Sequence, residues 1–323
     1  MTGFRPDVRG TFVDRPNRFT VRVLFGNLVE AAHCPNPGRL TELLFPGDTV
    51  VLEKAPPGRK LPYTLVAVER LEAWGTVTIP LVSVRANPAV GELVLPRLFP
   101  GARSFKPEFS LGNSRFDWLV EDAGGAAHLI EVKACSEVEY GTALFPDAPS
   151  LRAAKHLEEL AQWGDQGYRP HVVFAVSHGR PRLWGPNVHT DPGFARTLVR
   201  LAPRLALHAV VFQTGPDGTT GLVDDDLTVD LTVPCPDSGH LVTLSPSEFG
   251  WGFTVIWFPG GFDRAVARFP ARKSFPIRGG LDRRDKLEAE LAATLGSGTQ
   301  DPRSNRAFID VIMRWRHTPA KHA

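Results

Sequence analysis

Cysteine is scarce. Cys34, Cys135 and Cys235 are the whole complement in 323 residues, and an odd number of widely spaced thiols excludes both a disulfide framework and a zinc cluster of close ligand spacing. Free thiols are expected, Cys135 being a small packed residue. Long apolar runs are also missing: the longest, such as 172–176 and 209–212, fall far short of the roughly 20 residues a membrane helix needs. The first residues lack the apolar core of a secretion signal, so a cytoplasmic location with no membrane partner is expected. An excess of one charge is absent too, with 37 Lys+Arg against 35 Asp+Glu and a formal net charge of +2. The total therefore makes no case for nucleic acid. The distribution is more telling, because basic residues crowd the start (Arg5, Arg9, Arg15, Arg18, Arg22) and the end (Arg264, Arg268, Arg272, Lys273, Arg278, Arg283, Arg284, Lys286). Either cluster is a solvated surface or a track for phosphates.

What is present is enough chain and enough apolar content, 42%, for two domains and a further segment. The first part is all-β in character: short β-branched runs at 20–25, 49–52, 64–68 and 76–84 are separated by turns such as Pro46-Gly47-Asp48 and Pro56-Pro57-Gly58. Short strands at this spacing fit an oligonucleotide-binding (OB) barrel, with a small sandwich as the alternative. Asn87-Pro88 opens a connecting stretch with a short helix at 89–97. From about residue 100 the pattern turns to mixed α/β. A helix over 149–167 has Ser150 as N-cap and Leu151, Ala154, Leu157, Leu160 and Ala161 at helical spacing. A strand at 171–176, a helix at 194–201, a strand at 208–213 and an extended piece at 227–233 follow, which indicates a partly parallel sheet with helices packed on it. The expected organisation is a barrel over 1–87, an α/β domain over 88–235 and an extension over 236–323. In the extension, 255–258 is strand-like, 283–295 a charged helix and 309–315 amphipathic.

The stretch Ser114-Arg115-Phe116-Asp117-Trp118-Leu119-Val120 is followed, after a Gly-Gly turn, by Leu129-Ile130-Glu131-Val132-Lys133. Strand alternation places Glu131 and Lys133 on one face and Ile130, Val132 and Ala134 on the other; Arg115, Asp117 and Leu119 share a face of the preceding strand. Asp117 can then lie beside Glu131 and Lys133. Two carboxylates suit Mg²⁺ or Mn²⁺, and a nearby lysine can orient an attacking water and offset charge on a phosphate. Taken alone, the string equally fits a solvated hairpin face with a cross-strand ion pair.

Longer strings narrow this. In order, the chain contains His33-Cys34-Pro35-Asn36-Pro37-Gly38-Arg39-Leu40, Leu43-Leu44-Phe45-Pro46-Gly47, Lys60-Leu61-Pro62-Tyr63-Thr64, Gly112-Asn113-Ser114-Arg115-Phe116-Asp117, Ile130-Glu131-Val132-Lys133, Phe145-Pro146-Asp147-Ala148 and Arg152-x-x-Lys155-His156-Leu157. Over about residues 4–235 it closely resembles the sugar fermentation stimulation protein family. The resemblance implies an OB-like barrel followed by a restriction-endonuclease-like domain of the PD-(D/E)xK class, with an association to DNA binding and regulation of sugar metabolism. Carried over, Asp117, Glu131 and Lys133 match the family's catalytic triad. Asp117 and Glu131 would hold Mg²⁺ or Mn²⁺, with Glu108 and Asp147 as further acidic candidates. Two departures stand out: Asn36-Pro37-Gly38 where Asn-Thr-Gly is usual, and an acidic Ser136-Glu137-Val138-Glu139 after Lys133.

His33, Arg39, Arg115, Arg152, Lys155 and His156 are the candidates for contacts to nucleic acid, against a loop histidine, a carboxylate partner and a solvated helix face. Phe19, Tyr63 and Trp74 offer stacking faces or barrel core. Three functions remain open: a Mg²⁺-dependent nuclease acting on single-stranded or duplex DNA with low sequence specificity, a non-catalytic DNA-binding regulator of sugar metabolism genes, and a binder of a nucleotide or phosphorylated small ligand.

Overall fold

In the computed structural model, the described residues are 3–231, apart from 37, 39, 41–42, 45–46, 73–74, 113, 140–141, 149 and 188–190, together with strands at 239–247, 250–258 and 273–277. The chain divides into two compact units, one spanning residues 1–43 and 47–233 and the other 44–46 and 234–323. In the second, β16 (Gly239–Ser247), β17 (Gly250–Phe258) and β18 (Lys273–Ile277) form an antiparallel meander. The expected strand at 255–258 falls in β17, whereas the expected charged helix at 283–295 and the amphipathic stretch at 309–315 lie outside the described residues.

The first unit begins with a barrel of β1 (Val8–Asn17), β2 (Thr20–Phe25), β3 (Leu28–His33), β4 (Thr49–Lys54) and β5 (Tyr63–Glu72). Strand order is β3-β2-β1-β4-β5, and a parallel bridge from His33 to Thr64 closes it. Closure needs strong curvature, which register shifts supply in β1 after Phe12 and between Val51 and Leu52 of β4. Val21, Val23, Ala32, Val50, Leu52, Leu65 and Val68 are fully buried.

Beyond the barrel, β6 (Gly75–Pro80) extends β5 and makes one bridge, Thr78 to Thr214, to the second sheet. A 3-10 turn, Ser83–Arg85, leads into α1 (Ala86–Leu93) and α2 (Leu95–Leu98). The helix thus starts before the expected 89, because Pro88 lies in the first turn, where a missing N–H costs nothing. The second sheet is an antiparallel meander of β7 (Ser104–Leu111), β8 (Ser114–Glu121) and β9 (Ala127–Cys135), continued by β12 (Arg169–Val176) and β14 (Ala206–Thr214), both parallel to β9, with β15 (Thr220–Asp224) at the side. The crossovers are α3 (Leu151–Gly164) and α4 (Pro192–Leu201). A smaller sheet joins β10 (Glu137–Glu139), β11 (Thr142–Phe145) and β13 (Leu183–Pro186). Ser150 caps α3 through its hydroxyl to Ala153 N, and Asp191 caps α4 through Phe194 N.

Both faces of this sheet are covered. Leu129, Val172, Phe174 and Val176 pack under α3 and α4, while Ile130, Val173 and Ala175 pack under α1 and α2. The charged side of β9 is therefore not a solvated face.

Candidate metal and phosphate site

Alternation along β7 and β8 breaks at one place. Phe105 packs toward α1, yet Phe109 and Leu111, of the same parity, pack toward α3; on β8, Phe116 packs toward α3 and Trp118 and Val120 toward α1. At the break Glu108 has φ +54°, an uncommon left-handed conformation for a residue with a side chain. The β8–β9 register runs from Glu121 opposite Ala127 to Trp118 opposite Ile130. Asp117 follows, and its Oδ2 accepts the Val132 backbone N–H at 2.7 Å. A carboxylate thus replaces a rung of the ladder and is held between the strands.

Its other oxygen accepts from Asn87 Nδ2 at 2.8 Å, and the Asn87 carbonyl in turn accepts the indole N–H of Trp118. Gly91, one turn along α1, makes room for the Trp118 ring, since a Cβ there would sit 2.2 Å from Cζ2. In the sequence Asn87 marks only the opening of the connecting stretch and carries no sign of a site residue. Only the fold brings it to Asp117, and its one local signal, a position before Pro88 at a helix start, is common.

Glu131 is 5% exposed. Its Oε1 accepts from Lys133 Nζ at 2.6 Å and from His156 Nδ1 at 2.8 Å. The His156 ring is oriented from behind by Arg152, whose Nε donates to Nε2 at 3.4 Å. The second oxygen, Oε2, is buried and has no partner in the protein. Burial opposes ionisation of Glu131, but the His156 hydrogen bond and the Lys133 charge outweigh it and hold the carboxyl below its usual value. Asp117 goes the other way: burial, then the charge of Glu131, pushes it up to about 6. Two neighbouring carboxylates of opposite shift, one with an orphaned oxygen, form an oxygen site deficient in positive charge.

The site opens into a cavity of about 520 Å³ lined by Asp117, Lys133, Asp147 and Arg115 from the α/β part and by Asn36 and Gly38 from the barrel. The 36–38 loop is bound tightly: Gly38 N donates to Asn36 Oδ1, Asn36 Nδ2 donates to Leu81 O, and Arg15 donates to the carbonyls of Asn36 and Gly38. A Cβ on Gly38 would lie 2.3 Å from Asp147 Oδ2, so a side chain there needs the Asp147 carboxylate to shift. Burial raises the Asp147 carboxyl above its normal value.

The remaining expected residues divide. Glu108 is ion-paired with Arg115 at 3.0 Å, but both side chains are exposed, so this is a surface pair and not the neutralisation of a buried carboxylate. Lys155, its side chain 73% exposed, pairs with Glu159 along α3 at 3.3 Å and belongs to a solvated helix face. His33 lies on the barrel with Nδ1 3.2 Å from Phe19 O. Tyr63 packs against Phe25 at 5.2 Å between ring centroids. Arg39 and Trp74 lie outside the described residues. Cys135 is the packed residue expected, with Sγ 3.0 Å from Leu144 O and its thiol pushed well above the usual value by burial.

Among the described residues no group of three or more His, Cys, Asp or Glu forms a metal cage. Glu131, buried with an orphaned oxygen, and the half-buried Asp117 at the cavity wall instead fit a hard divalent ion that keeps several waters.

A five-strand OB-like barrel joined to an α/β sheet with covered faces is the architecture of an OB-like domain followed by a nuclease-like α/β domain. Residues 13–77 match the SfsA N-terminal OB domain, and residues 85–218 match the sugar fermentation stimulation protein RE domain. The chain belongs to the sugar fermentation stimulation protein family. A homolog from Methanothermobacter thermautotrophicus is 39% identical over 194 residues, covering 60% of this chain and 80% of the relative. One from Pyrobaculum arsenaticum is 40% identical over 195 residues, 60% and 82% of the two chains. Among solved structures, Pyrococcus furiosus SfsA in complex with Ca²⁺ superposes with a TM-score of 0.61 at 26% identity, over 71% of this chain and 99% of that one. Among the described residues no helix is long and apolar enough to cross a membrane.

Proposed function

We propose that the protein binds DNA and hydrolyses its phosphodiester bonds with a divalent metal ion, Mg²⁺ or Mn²⁺. The observation that carries this reading is the buried, unpartnered Oε2 of Glu131 in the site it shares with Asp117. Asp117 and Glu131 would hold the ion, which supplies Lewis-acid polarisation of a phosphate oxygen and a more acidic bound water. The chain's own groups do the rest. Asn87 and the Val132 N–H fix the Asp117 carboxylate; His156, oriented by Arg152, fixes Glu131. Lys133, at the cavity wall, orients the attacking water and offsets charge on the phosphate. Arg115 and the barrel loop face the same cavity and would hold the backbone without reading bases.

A second reading, a DNA-binding regulator of sugar metabolism genes that keeps the nuclease fold without turnover, is favoured by Lys133 itself, whose ammonium is tied to Glu131 at 2.6 Å. Incubation with single-stranded, duplex and branched DNA in Mg²⁺ or Mn²⁺ separates them. Cleavage lost in both Asp117→Ala and Lys133→Ala is expected; cleavage surviving both sinks the site, and salt-sensitive binding without cleavage supports the regulator.

A further inference from the structure

The turn between β1 and β2 goes against the usual chemistry of a two-residue hairpin loop. Asn17 pairs with Thr20, leaving Arg18 and Phe19 alone at the tip. Loops this short favour Asn-Gly and left-handed residues, yet neither tip residue has a positive φ. Phe19 is 52% exposed, so the ring is not explained by barrel packing. The tip is nevertheless fixed: Asn17 Oδ1 accepts the Phe19 N–H at 3.0 Å, and the His33 ring nitrogen lies 3.2 Å from the Phe19 carbonyl. The Arg18 guanidinium stands over the Phe19 ring, 5.6 Å from its centroid, and Arg18 also lines the cavity that holds Asp117 and Lys133. A large aromatic held half in solvent, backed by a cation at the rim of the cavity, combines the two elements that bind single strands: a stacking face and a positive neighbour.

We propose that Arg18 and Phe19 form a platform for one unpaired nucleobase of the strand whose phosphate enters the cavity. The proposal rests on the nucleic-acid reading of that cavity and narrows the substrate class to nucleic acid with a single-stranded segment, because a base inside a duplex has both faces stacked. His33 then acts through Phe19 by holding its backbone.

The test is fluorescence anisotropy of the full chain in EDTA with a labelled short single strand and with a blunt duplex of the same sequence. Phe19→Ala should weaken single-strand binding by roughly five- to a hundredfold, the range of base–aromatic stacking, leave duplex binding unchanged, and be rescued by Phe19→Trp. A single strand carrying 5-iododeoxyuridine should photocrosslink to the peptide containing Phe19. If wild type binds single strands and Phe19→Ala binds them equally well, or loses single strand and duplex alike, the platform is wrong while the nuclease-like site stands. If wild type binds no nucleic acid at low salt, the reading of the cavity fails, and the platform with it.

Discussion

Replacing Asp117 by asparagine should make the fold more stable while removing its response to metal. The ionised carboxylate is half-buried beside Glu131, and its pKa is raised from 3.8 to about 6. A raised carboxyl pKa is a penalty on the folded state: it is absent below the unfolded value, grows as pH rises through the interval, and is complete above pH 6. Two pKa units correspond to about 3 kcal/mol at neutral pH. Asparagine keeps the acceptor for Val132 N–H, but its NH₂ meets the Asn87 donor, a mismatch of about 1 kcal/mol. The net gain is about 2 kcal/mol, or roughly 4–8 °C in Tm for a unit of this size. Thermal unfolding in EDTA, followed by tryptophan fluorescence, reads this directly. Mg²⁺, Mn²⁺ or Ca²⁺ should then raise the Tm of wild type by mass action, about 2.7 kcal/mol at a hundred times Kd, and leave the variant where it was. A variant that melts at or below wild type in EDTA, or equal metal stabilisation of both, would refute the reasoning.

Asn87→Leu removes the donor to Asp117 and the acceptor for the Trp118 indole, so Mn²⁺ affinity measured by calorimetry should fall and stability should drop by about 1–3 kcal/mol; unchanged affinity would show that Asn87 only packs. Gly38→Ala places a Cβ 2.3 Å from Asp147 Oδ2 and should cost about 1–3 kcal/mol in urea unfolding, a loss that Asp147→Ala in the same chain should largely relieve. A third prediction concerns acid. His128, His171 and His208 form a hydrogen-bonded row ending on Asp122, and burial, then the charges of His208 and His128, depresses His171 to about 3. A depressed histidine resists the proton that the unfolded chain accepts, so stability is full above about pH 6.5 and is lost as pH falls toward 3. About 2 kcal/mol should disappear between pH 7 and 5. Denaturant midpoints at the two pH values should show that loss in wild type and a flatter dependence in His171→Gln; identical slopes would remove His171 as the cause.

Much of the frame was legible because it depends on local chemistry. The β-branched run at 20–25 is β2 as read, and Ser150 caps α3 as its sequence suggests. β1 escaped notice because VRGTFVDRPN lacks a clean alternation, and the structure shows why: register shifts after Phe12 let the strand bend around the barrel. The triad was legible as residue types, while its surroundings were not. Strand parity alone put Asp117, Arg115 and Leu119 on one face and left the charges of β9 away from the core; the break at Glu108 and the helices on both sides of the sheet change both statements. Lys155 and His156 are neighbours in sequence, yet one helical step sends the first to Glu159 and the second to Glu131. Lys133 is a local partner of Glu131, but Asn87 lies 30 positions from Asp117 and His156 25 from Glu131, separations that no local spacing encodes.

Several departures from ordinary packing adjoin the carboxylate site. Glu108 holds a left-handed backbone, the β8–β9 ladder gives way to a side chain, Asp117 is ionised at a cost, and Glu131 keeps a buried oxygen without a partner. Each opposes stability; Glu108, Asp117 and Val132 line a single cavity, and Glu131 lies next to Val132 in the chain. The histidine row supplies the contrast. It too is buried and polar, but its ring nitrogens link in sequence from His208 to Asp122, so the row is paired where the carboxylate site is left short of positive charge. A buried polar group whose bonds are closed serves as structure, whereas one left open near solvent is poised for a ligand. On the proposed reading that difference makes metal-dependent stabilisation, lost in Asp117→Asn and kept in His171→Gln, the expected mark of which polar cluster performs the function.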